Sequence, residues 1–471
     1  MNQPSEQSKL KSLAPFLLFA ALALSVPFAR SMETWTVWVS VFSVASGLWL
    51  IGWRMAVRGA FSVREVLVWG LVFRVALLPM GPTLSDDYFR YLWDGWLQVE
   101  GISPFAFVPE DPALAAFQDS VLFEEMNSPG YFSIYPPLSQ VLFAGAALFL
   151  PLGWEVSYYV LKTAMALIEA GGLVLMSRLV SAKRLVVYAW CPLVALETAG
   201  QGHGEAMMLG FLVLMLWAVQ AGRGRLAVAA LAGATLVKLI PLVLFPFLFN
   251  RVGWKRVPLA AGIGAAFTLP YLLWAPGLPE SLANIRSSTD LYVQNFEFNA
   301  GVYFALKELV GTLTEIPRPG YTVGPWLRAV FVVGWGLAWF VDTYTRWAGG
   351  QVGRWAGLQL MGHDKAAPPT NPPAHLPTIA YLIFGLYLLC TPTIHPWYFL
   401  FVLVFVPFLA RVPAGWIWLV LAAPATYLRY SSGEEAYWLV VWVGWAGWAV
   451  LTLGQWALRR LTGEGGSVNI E

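Results

Sequence analysis

The sequence has little charge, few cysteines and few histidines. Charged residues make up only 12% of the 471 residues, and the two cysteines, Cys191 and Cys390, both lie in apolar runs. A disulfide framework or a cysteine metal site is therefore not supported. The four histidines never occur at metal-ligand spacing such as HxxxH. The net charge is +2, from 29 basic and 27 acidic residues without a basic block, which argues against nucleic acid as a partner.

Apolar residues, by contrast, are abundant. They account for 58% of the chain, and the mean hydropathy is +0.62. A soluble core could not bury so much apolar surface, whereas lipid can face it directly. The sequence therefore predicts an all-α, polytopic integral membrane protein with about 12–14 transmembrane helices. The predicted spans are near 13–28, 35–53, 66–80, 137–152, 157–178, 185–199, 206–221, 226–249, 257–275, 325–347, 377–394, 397–411, 414–428 and 437–457.

Basic residues behind the spans predict their orientation. Arg54 and Arg58 follow the second span and mark a cytoplasmic turn, so the third span carries the chain outwards. The Pro-rich segment 81–135 then forms a large outer loop with short interfacial helices, one of them capped by Asp111 before Pro112. Counting back from the C-terminus also places four further segments outside: 200–205, 276–320, 395–396 and 429–436. The two counts disagree by one crossing between 135 and 184, so one run there is re-entrant, too short or wrongly counted.

Three further segments are interpreted from composition. The run from Leu13 to Phe28 follows basic residues like a signal peptide, but Arg30 comes directly after it and many spans follow. We therefore interpret this run as a retained first span. The segment 362–376 is Pro-rich and polar and is predicted to be a flexible cytoplasmic link. The tail 463–471 is predicted to be disordered.

The largest polar feature is the segment from Ser85 to Gly101, which reads SDDYFRYLWDGWLQVEG. It concentrates four charged residues within nine positions: Asp86, Asp87, Arg90 and Asp94. Charge beside a membrane is costly, so this cluster at a helix end is a candidate functional site. The alternative is a solvated loop between two spans.

Three further polar features lie near the same predicted face. They are His203 and Glu205 in GQGHGEAMM, Lys238 in TLVKLIPL, and His395 in TIHPWYF. Lys238 lies within an apolar run and needs an anionic partner or a route to water. We favour a phosphate contact for this lysine over snorkelling or a structural pair with Glu197. His203 and Glu205 could instead be a loop pair at a helix end, and His395 could be a solvated histidine.

A carboxylate pair, a lysine and a histidine on one face suit a transfer reaction with a phosphate leaving group. A carboxylate would take the proton from an acceptor hydroxyl, and cations would hold the departing phosphate. A lipid-linked donor would explain why the site lies at the bilayer boundary. A transporter could place the same charges in a cavity.

The segment SDDYFRYLWDGWLQVEGISPFAFVP resembles the first outer loop of GT-C glycosyltransferases that use polyprenyl-phosphate sugars. It is most similar to bacterial polyprenol-phosphate-mannose-dependent α-mannosyltransferases, which are related to glycosylphosphatidylinositol mannosyltransferase I. Gly101, Pro104 and Phe105 match the pattern G-x-x-P-[YF]. The segments IYPPLSQ, GHGEAMM, VKLIPL, FNAGVYF and HPWYF follow in the family's order, so the resemblance covers a core at about 64–411. This core lies between N-terminal spans at 1–63 and C-terminal spans at 412–462.

The resemblance implies inverting transfer from a β-linked lipid-phosphate sugar to give an α-linked product. It implies Asp87, or else Asp86, as the base. Lys238 and His395 match positions that contact the lipid phosphate, and Glu205 stands where the family usually has the acidic residue of a GHND-like motif. It further implies supporting, phosphate-facing or substrate-binding roles for a second set of residues: Arg90, Asp94, His203 and Tyr135. No DxD motif is present, so no metal or other cofactor is predicted, although a divalent metal is compatible.

The sequence thus predicts a mannosyltransferase of the bacterial cytoplasmic membrane with its active site on the outer face. Its expected partners are a polyprenyl-phosphate sugar, a lipid or glycan acceptor and membrane lipids. One alternative is a transporter or flippase of lipid-linked saccharides, which would distribute charge through the midplane and show related halves. Another is a structural membrane subunit, which would tolerate neutral replacement of Asp87.

Overall fold

The computed structural model describes residues 6–29, 32–294, 296–359 and 375–462, and within them the fold is helical. The predicted tail 463–471 and most of the predicted link 362–376 lie outside the described residues. The helices of eight or more residues are α1 Glu6–Phe28, α2 Trp35–Val57, α3 Val63–Leu77, α4 Asp87–Val99, α5 Pro137–Ala147, α6 Trp154–Met176, α7 Ala182–Ala189, α8 Glu205–Gln220, α9 Gly224–Val237, α10 Phe245–Val252, α11 Val257–Leu273, α12 Leu278–Gln294, α13 Gly301–Leu313, α14 Gly320–Gln359, α15 His375–Cys390, α16 Ala414–Ala422 and α17 Glu434–Leu461.

The all-α, multi-pass prediction is confirmed. In the described part of the chain, five helices are long and apolar enough to cross a bilayer, and a bent helix pair makes a sixth span if it is counted as one. Shorter apolar helices accompany them, so the predicted total of about 12–14 spans stays a prediction. The long candidates are Trp35–Val57, Trp154–Met176, Trp254–Leu273, Gly320–Ala348 and Glu434–Leu461, and the bent pair is Pro192–Gly200 with Glu205–Gln220.

Helix α5 accounts for the surplus crossing between 135 and 184. Its 11 residues extend over only ~16 Å at ~1.5 Å per residue, about half of a hydrocarbon core. At the start of α6, Tyr159 Oη donates to the Pro79 carbonyl at 3.1 Å and Lys162 Nζ to the Met80 carbonyl at 2.6 Å. Helix α6 therefore begins at the end of the fold where α3 finishes. The chain from 81 to 153 leaves and returns on one side, and the run at 137–152 is not a span.

The segment 81–153 contains the predicted cap at Asp111 and a close contact between two helices. Asp111 Oδ1 accepts from the Ala113 amide at 2.8 Å, which confirms the predicted cap. Helix α4 packs so closely on α5 that a Cβ at Gly95 would lie 2.2 Å from the Phe143 carbonyl oxygen. Only glycine permits this approach of two helix backbones. The pair α4 and α5 therefore holds the start of α4, and with it the aspartates, in a fixed place.

The predicted span at 226–249 is wrong as one helix, because the chain folds back at Lys238. Helix α9 ends at Val237, and Lys238 is extended with φ −151° and ψ 133°. Pro241 follows, where proline cannot continue the α9 hydrogen-bond pattern. The start of α9 and the segment after α10 lie together, since a Cβ at Gly224 would contact the Arg256 guanidinium at 3.1 Å. Lys238 is thus at the tip of a helical hairpin whose basic ends are at the opposite end.

A buried ion pair ties α3 to α6. Arg74 Nε and Nη2 donate to the two carboxylate oxygens of Glu169 at 2.7 and 2.8 Å, and both side chains are almost fully buried. Tyr188 Oη donates to the same carboxylate at 2.8 Å. Glu169 therefore stabilises helix packing. Lys162 donates to the carbonyls of Met80 and Gly200 and joins the two loops that approach the site.

Candidate active site

The two adjacent aspartates lie where the predicted outer loop turns into α4. Asp86 is the residue before the helix, and Asp87 is its first residue. Asn127, from the far part of the outer loop, donates to Asp86 Oδ1 at 2.5 Å. Burial and the neighbouring Asp87 carboxylate raise the pKa of Asp86 to about 6. The pair is therefore held in a half-buried site at the helix start, and it is not fully solvated as the loop alternative requires.

A break between two helices positions the second polar feature. The segment Leu196–Gly200 is a π-turn that ends the helical segment Pro192–Gly200. Helix α8 starts at Glu205, and its axis is bent by 116° from that segment. Gly202 makes this turn with φ +73°, and a Cβ there would lie 2.9 Å from the Lys162 side chain. His203 and Glu205, both buried, consequently enter the site from a rigid turn.

Lys238 pairs with a carboxylate, but the carboxylate is Glu205 and not Glu197. The Lys238 ammonium also lies 4.4 Å from the centre of the Tyr398 ring. The structural pairing with Glu197 considered from sequence is therefore wrong, because the hairpin tip directs Lys238 towards the start of α8. About a third of the lysine side chain (30%) remains exposed.

The two site histidines stack on the two faces of one tryptophan. The ring centres of His203 and Trp397 are 3.9 Å apart, and those of Trp397 and His395 are 4.4 Å apart with parallel planes. Phe298 covers the other face of His395 at 4.9 Å. Burial, with Lys238 nearby, lowers the pKa of His395 to about 3. His395 is therefore a neutral imidazole at physiological pH, able to donate a hydrogen bond but carrying no positive charge.

The electrostatic surroundings of Asp87 join these features into one site. Burial raises the pKa of Asp87; the charges of His203 and Lys238 lower it, and Glu205 raises it. Three predicted residues from two separate parts of the chain therefore act on this carboxyl: His203 and Glu205 from one loop, and Lys238 from the tip of the hairpin. The structure brings Asp87, His203, Glu205 and Lys238 together, with His395 next to them; the role of each residue stays a prediction.

Arg90 and Asp94 are placed elsewhere, inside the packing of the outer loop. Arg90 Nε donates to Asp94 Oδ1 at 2.7 Å, and its Nη1 donates to the carbonyls of Ser128 and Tyr131. Asp94 is fully buried and also accepts from Ser133 and from Gln140. Of the roles the resemblance implied, this geometry favours the supporting one over a phosphate-facing one.

An apolar cavity adjoins the polar cluster. Its volume is 540 Å³, and Tyr135, Leu236 and Leu239 are among its lining residues together with side chains of α10, α11 and α12. Leu236 and Leu239 flank Lys238 in the chain, so the backbone at Lys238 lies beside this cavity. Tyr135 packs on Tyr91 of α4 with ring centres 4.9 Å apart, which connects the cavity wall to the aspartate helix.

The fold also brings to the site several residues that the sequence did not assign to it. Glu197 and Tyr427 contact each other beneath His203, and Trp397 separates the two histidines. The half-buried Arg429 guanidinium lies over the Phe298 and Tyr437 rings, and its charge acts on His395. Trp397 could have been found from its place next to His395 in TIHPWYF, whereas nothing local marks Tyr427 or Arg429.

The site contains carboxylates and histidines, which are side chains of the kinds that bind metals. Among the described residues, no cluster of three or more His, Cys, Asp or Glu side chains could hold a metal ion. The charged groups present are instead arranged as carboxylates facing cations, which is a suitable arrangement for proton transfer and for binding an anionic group.

The fold and the site define a polytopic α-helical membrane protein with a polar site beside an apolar cavity. Residues 8–253 match the MptA_B family, described as alpha-(1->6)-mannopyranosyltransferase, N-terminal domain. The match includes the aspartates, the 201–205 turn and Lys238, and it covers more than half of the chain. The chain therefore belongs to this family, and the protein is a mannosyltransferase, in agreement with the GT-C resemblance. No curated protein matches the chain.

Proposed function

We propose that this mannosyltransferase uses a polyprenyl-phosphate mannose donor and forms an α-(1→6) bond with inversion at the mannose C1. The observation that carries the proposal is that Lys238 pairs with the buried Glu205 carboxylate while its chain neighbours Leu236 and Leu239 line an apolar cavity. A lipid phosphate at this lysine would place the polyprenyl chain in the cavity and the sugar towards Asp87. The linkage is taken from the family description.

In the proposed reaction, Asp87 takes the proton from an acceptor hydroxyl. The acceptor oxygen attacks C1 on the face opposite the phosphate, the C1–O bond to phosphate breaks, and polyprenyl phosphate leaves with the electron pair. A β-linked donor thus gives an α-linked product. Lys238 offsets the charge of the departing phosphate, and the neutral His395 donates a hydrogen bond to it.

Asp87 is a better candidate for the base than Asp86. Its surroundings include His203, Glu205 and Lys238, whereas Asp86 interacts mainly with Asn127 and with Asp87 itself. The proposed base is therefore the carboxylate that lies closer to the cations. Asp86 then tunes the basicity of Asp87 through charge repulsion.

The proposed location is the bacterial cytoplasmic membrane, with the site on its outer face. Support comes from the hairpin 224–256, whose basic ends lie opposite Lys238, because loops rich in Lys and Arg face the cytoplasm. The proposed acceptor is a lipid or glycan hydroxyl that reaches the membrane surface.

The test is transfer by the purified protein from labelled polyprenyl-phosphate mannose or from nucleotide-linked mannose to a membrane extract. The proposal predicts label transfer from the lipid-linked donor alone, and an α-anomeric signal in the NMR spectrum of the product. Transfer from the nucleotide donor, or retention of the β configuration, would contradict it. Movement of the intact donor across vesicles without transfer would support the flippase alternative.

A further inference from the structure

Glu197 is a buried carboxylate to which the reaction described above gives no role. Its side chain is 0% exposed, in the π-turn that precedes the 201–205 loop. Tyr427 Oη donates to both of its oxygens, at 3.1 and 3.3 Å, and Glu197 Oε2 lies 2.9 Å from His203 Nδ1. A buried carboxylate is costly unless it is paired. The chain therefore retains Glu197 together with two partners that fix its position.

The orientation of His203 follows from this contact. The 2.9 Å contact between Nδ1 and Glu197 Oε2 is the contact of an ion pair with a protonated ring, because neither ring nitrogen makes a well-aligned hydrogen bond to a protein group in the described part of the chain. Stacking on Trp397 at 3.9 Å prevents the ring from tilting. His203 Nε2 is buried and has no protein hydrogen-bond partner in the described part of the chain. The ring is thus fixed on one side by Glu197, while its other nitrogen remains available to the site.

The charged groups around Glu197, His203 and Asp87 alternate in sign. Glu197 faces His203, Tyr427 and, at longer range, Glu205. The groups that face His203 are Glu197, Glu205 and Asp87, with His395 beyond Trp397.

Asp87 in turn faces groups of both signs. These are His203, Glu205 and Lys238, its neighbour Asp86, Asn127, and the hydroxyls of Tyr427 and Tyr430. The cations whose charges act on this carboxylate are His203 and Lys238, and each has its own glutamate, Glu197 and Glu205 respectively.

We propose that Glu197 is a positioning residue for the transfer reaction, holding His203 through Nδ1 so that the imidazolium lies beside the Asp87 carboxylate. Tyr427 anchors Glu197 from the C-terminal part of the chain. The inference rests on the proposed function, in which Asp87 is the base. Its consequence is that Asp87 stays ionised, and therefore active, at a lower pH than its burial alone would permit, because burial raises its pKa and the cation opposes that rise.

The first test is the pH profile of kcat/KM for mannosyl transfer by Glu197→Gln. Glutamine has the same shape and can still accept from Tyr427, but it does not stabilise a cationic His203. The Asp87 pKa should then rise, and the acid limb of the profile should move up by about 1 pH unit. Tyr427→Phe keeps the charge of Glu197 and should move the limb less. If Glu197→Gln lowers activity equally at all pH values, its role is structural and the proposal is overturned.

A double-mutant cycle separates an effect through His203 from a direct one. His203→Gln should move the acid limb in the same direction, and Glu197→Gln should add no further shift in that background. An additive second shift would overturn the proposal, because Glu197 would then act independently of His203. If Glu197→Gln gives little folded protein, the same cycle can be measured with Tyr427→Phe in place of Glu197→Gln. A wild-type protein without transfer activity would contradict the proposed function, whereas an active wild type with an unmoved limb would contradict only this inference.

Discussion

Replacing Arg74 by Met tests the buried ion pair that fixes α3 against α6. The guanidinium makes two hydrogen bonds to Glu169 and two to the carbonyls of Gly70 and Ala189, each 2.7 or 2.8 Å long. Methionine fills similar space but leaves the Glu169 carboxylate buried with Tyr188 as its remaining partner. Removing one member of such a pair costs about 3–5 kcal/mol of unfolding free energy.

The cost should come from the uncompensated charge, and a second change should therefore recover much of it. The double variant Arg74→Met/Glu169→Gln removes that charge, and we expect it to be more stable than Arg74→Met alone. Arg74→Lys keeps a cation but has three donors in place of the forked guanidinium, and it should be intermediate. The unfolding free energy can be measured by SDS titration in mixed micelles. If Arg74→Met matches the wild type within about 0.5 kcal/mol, or if the double variant is less stable than the single one, the reasoning is refuted.

Three further predictions concern the site and its support. Gly95→Ala should lower the unfolding free energy by about 1–3 kcal/mol and also lower activity, because the added Cβ meets a backbone carbonyl of α5. The control Gly47→Ala places its Cβ in open space and should be neutral. Asp86→Asn removes the charge beside Asp87, and we expect a lower Asp87 pKa and an acid limb that moves down by up to about 1 pH unit; an upward shift would contradict this. Arg429→Gln removes a half-buried cation next to the proposed phosphate site and should raise the KM for the lipid-linked donor about 10-fold, a result that steady-state kinetics at fixed acceptor would test.

The helical membrane fold could be predicted because lipid imposes long apolar runs that are visible in composition. Asp111 and Pro112 likewise carried a local signal, and the predicted cap is present. The run at 137–152 was misread as a span because its apolar character continues through Leu148, Phe149 and Leu152 after the helix has ended. Hydropathy does not distinguish a short helix with an apolar turn from a short span.

The pairings within the site could not be predicted, since they depend on how distant segments pack. Lys238 lies 33 positions from Glu205, and its choice of that carboxylate over Glu197 follows from the fold of the 224–256 hairpin. Glu197 and Tyr427 are 230 positions apart. Their contact exists because the C-terminal segments pack beneath the 201–205 turn, and no periodicity or motif encodes that contact locally.

The central claim is that Asp87 is the catalytic base, and the most direct measurement is the transfer rate of Asp87→Asn from polyprenyl-phosphate mannose. Asparagine is nearly isosteric and cannot accept the proton, so the rate should fall by at least about 100-fold while the amount of folded protein is unchanged. Asp119→Asn, an exposed aspartate of the same outer loop, serves as the matched control and should keep the wild-type rate. An Asp87→Asn protein that transfers mannose at the wild-type rate would contradict the account.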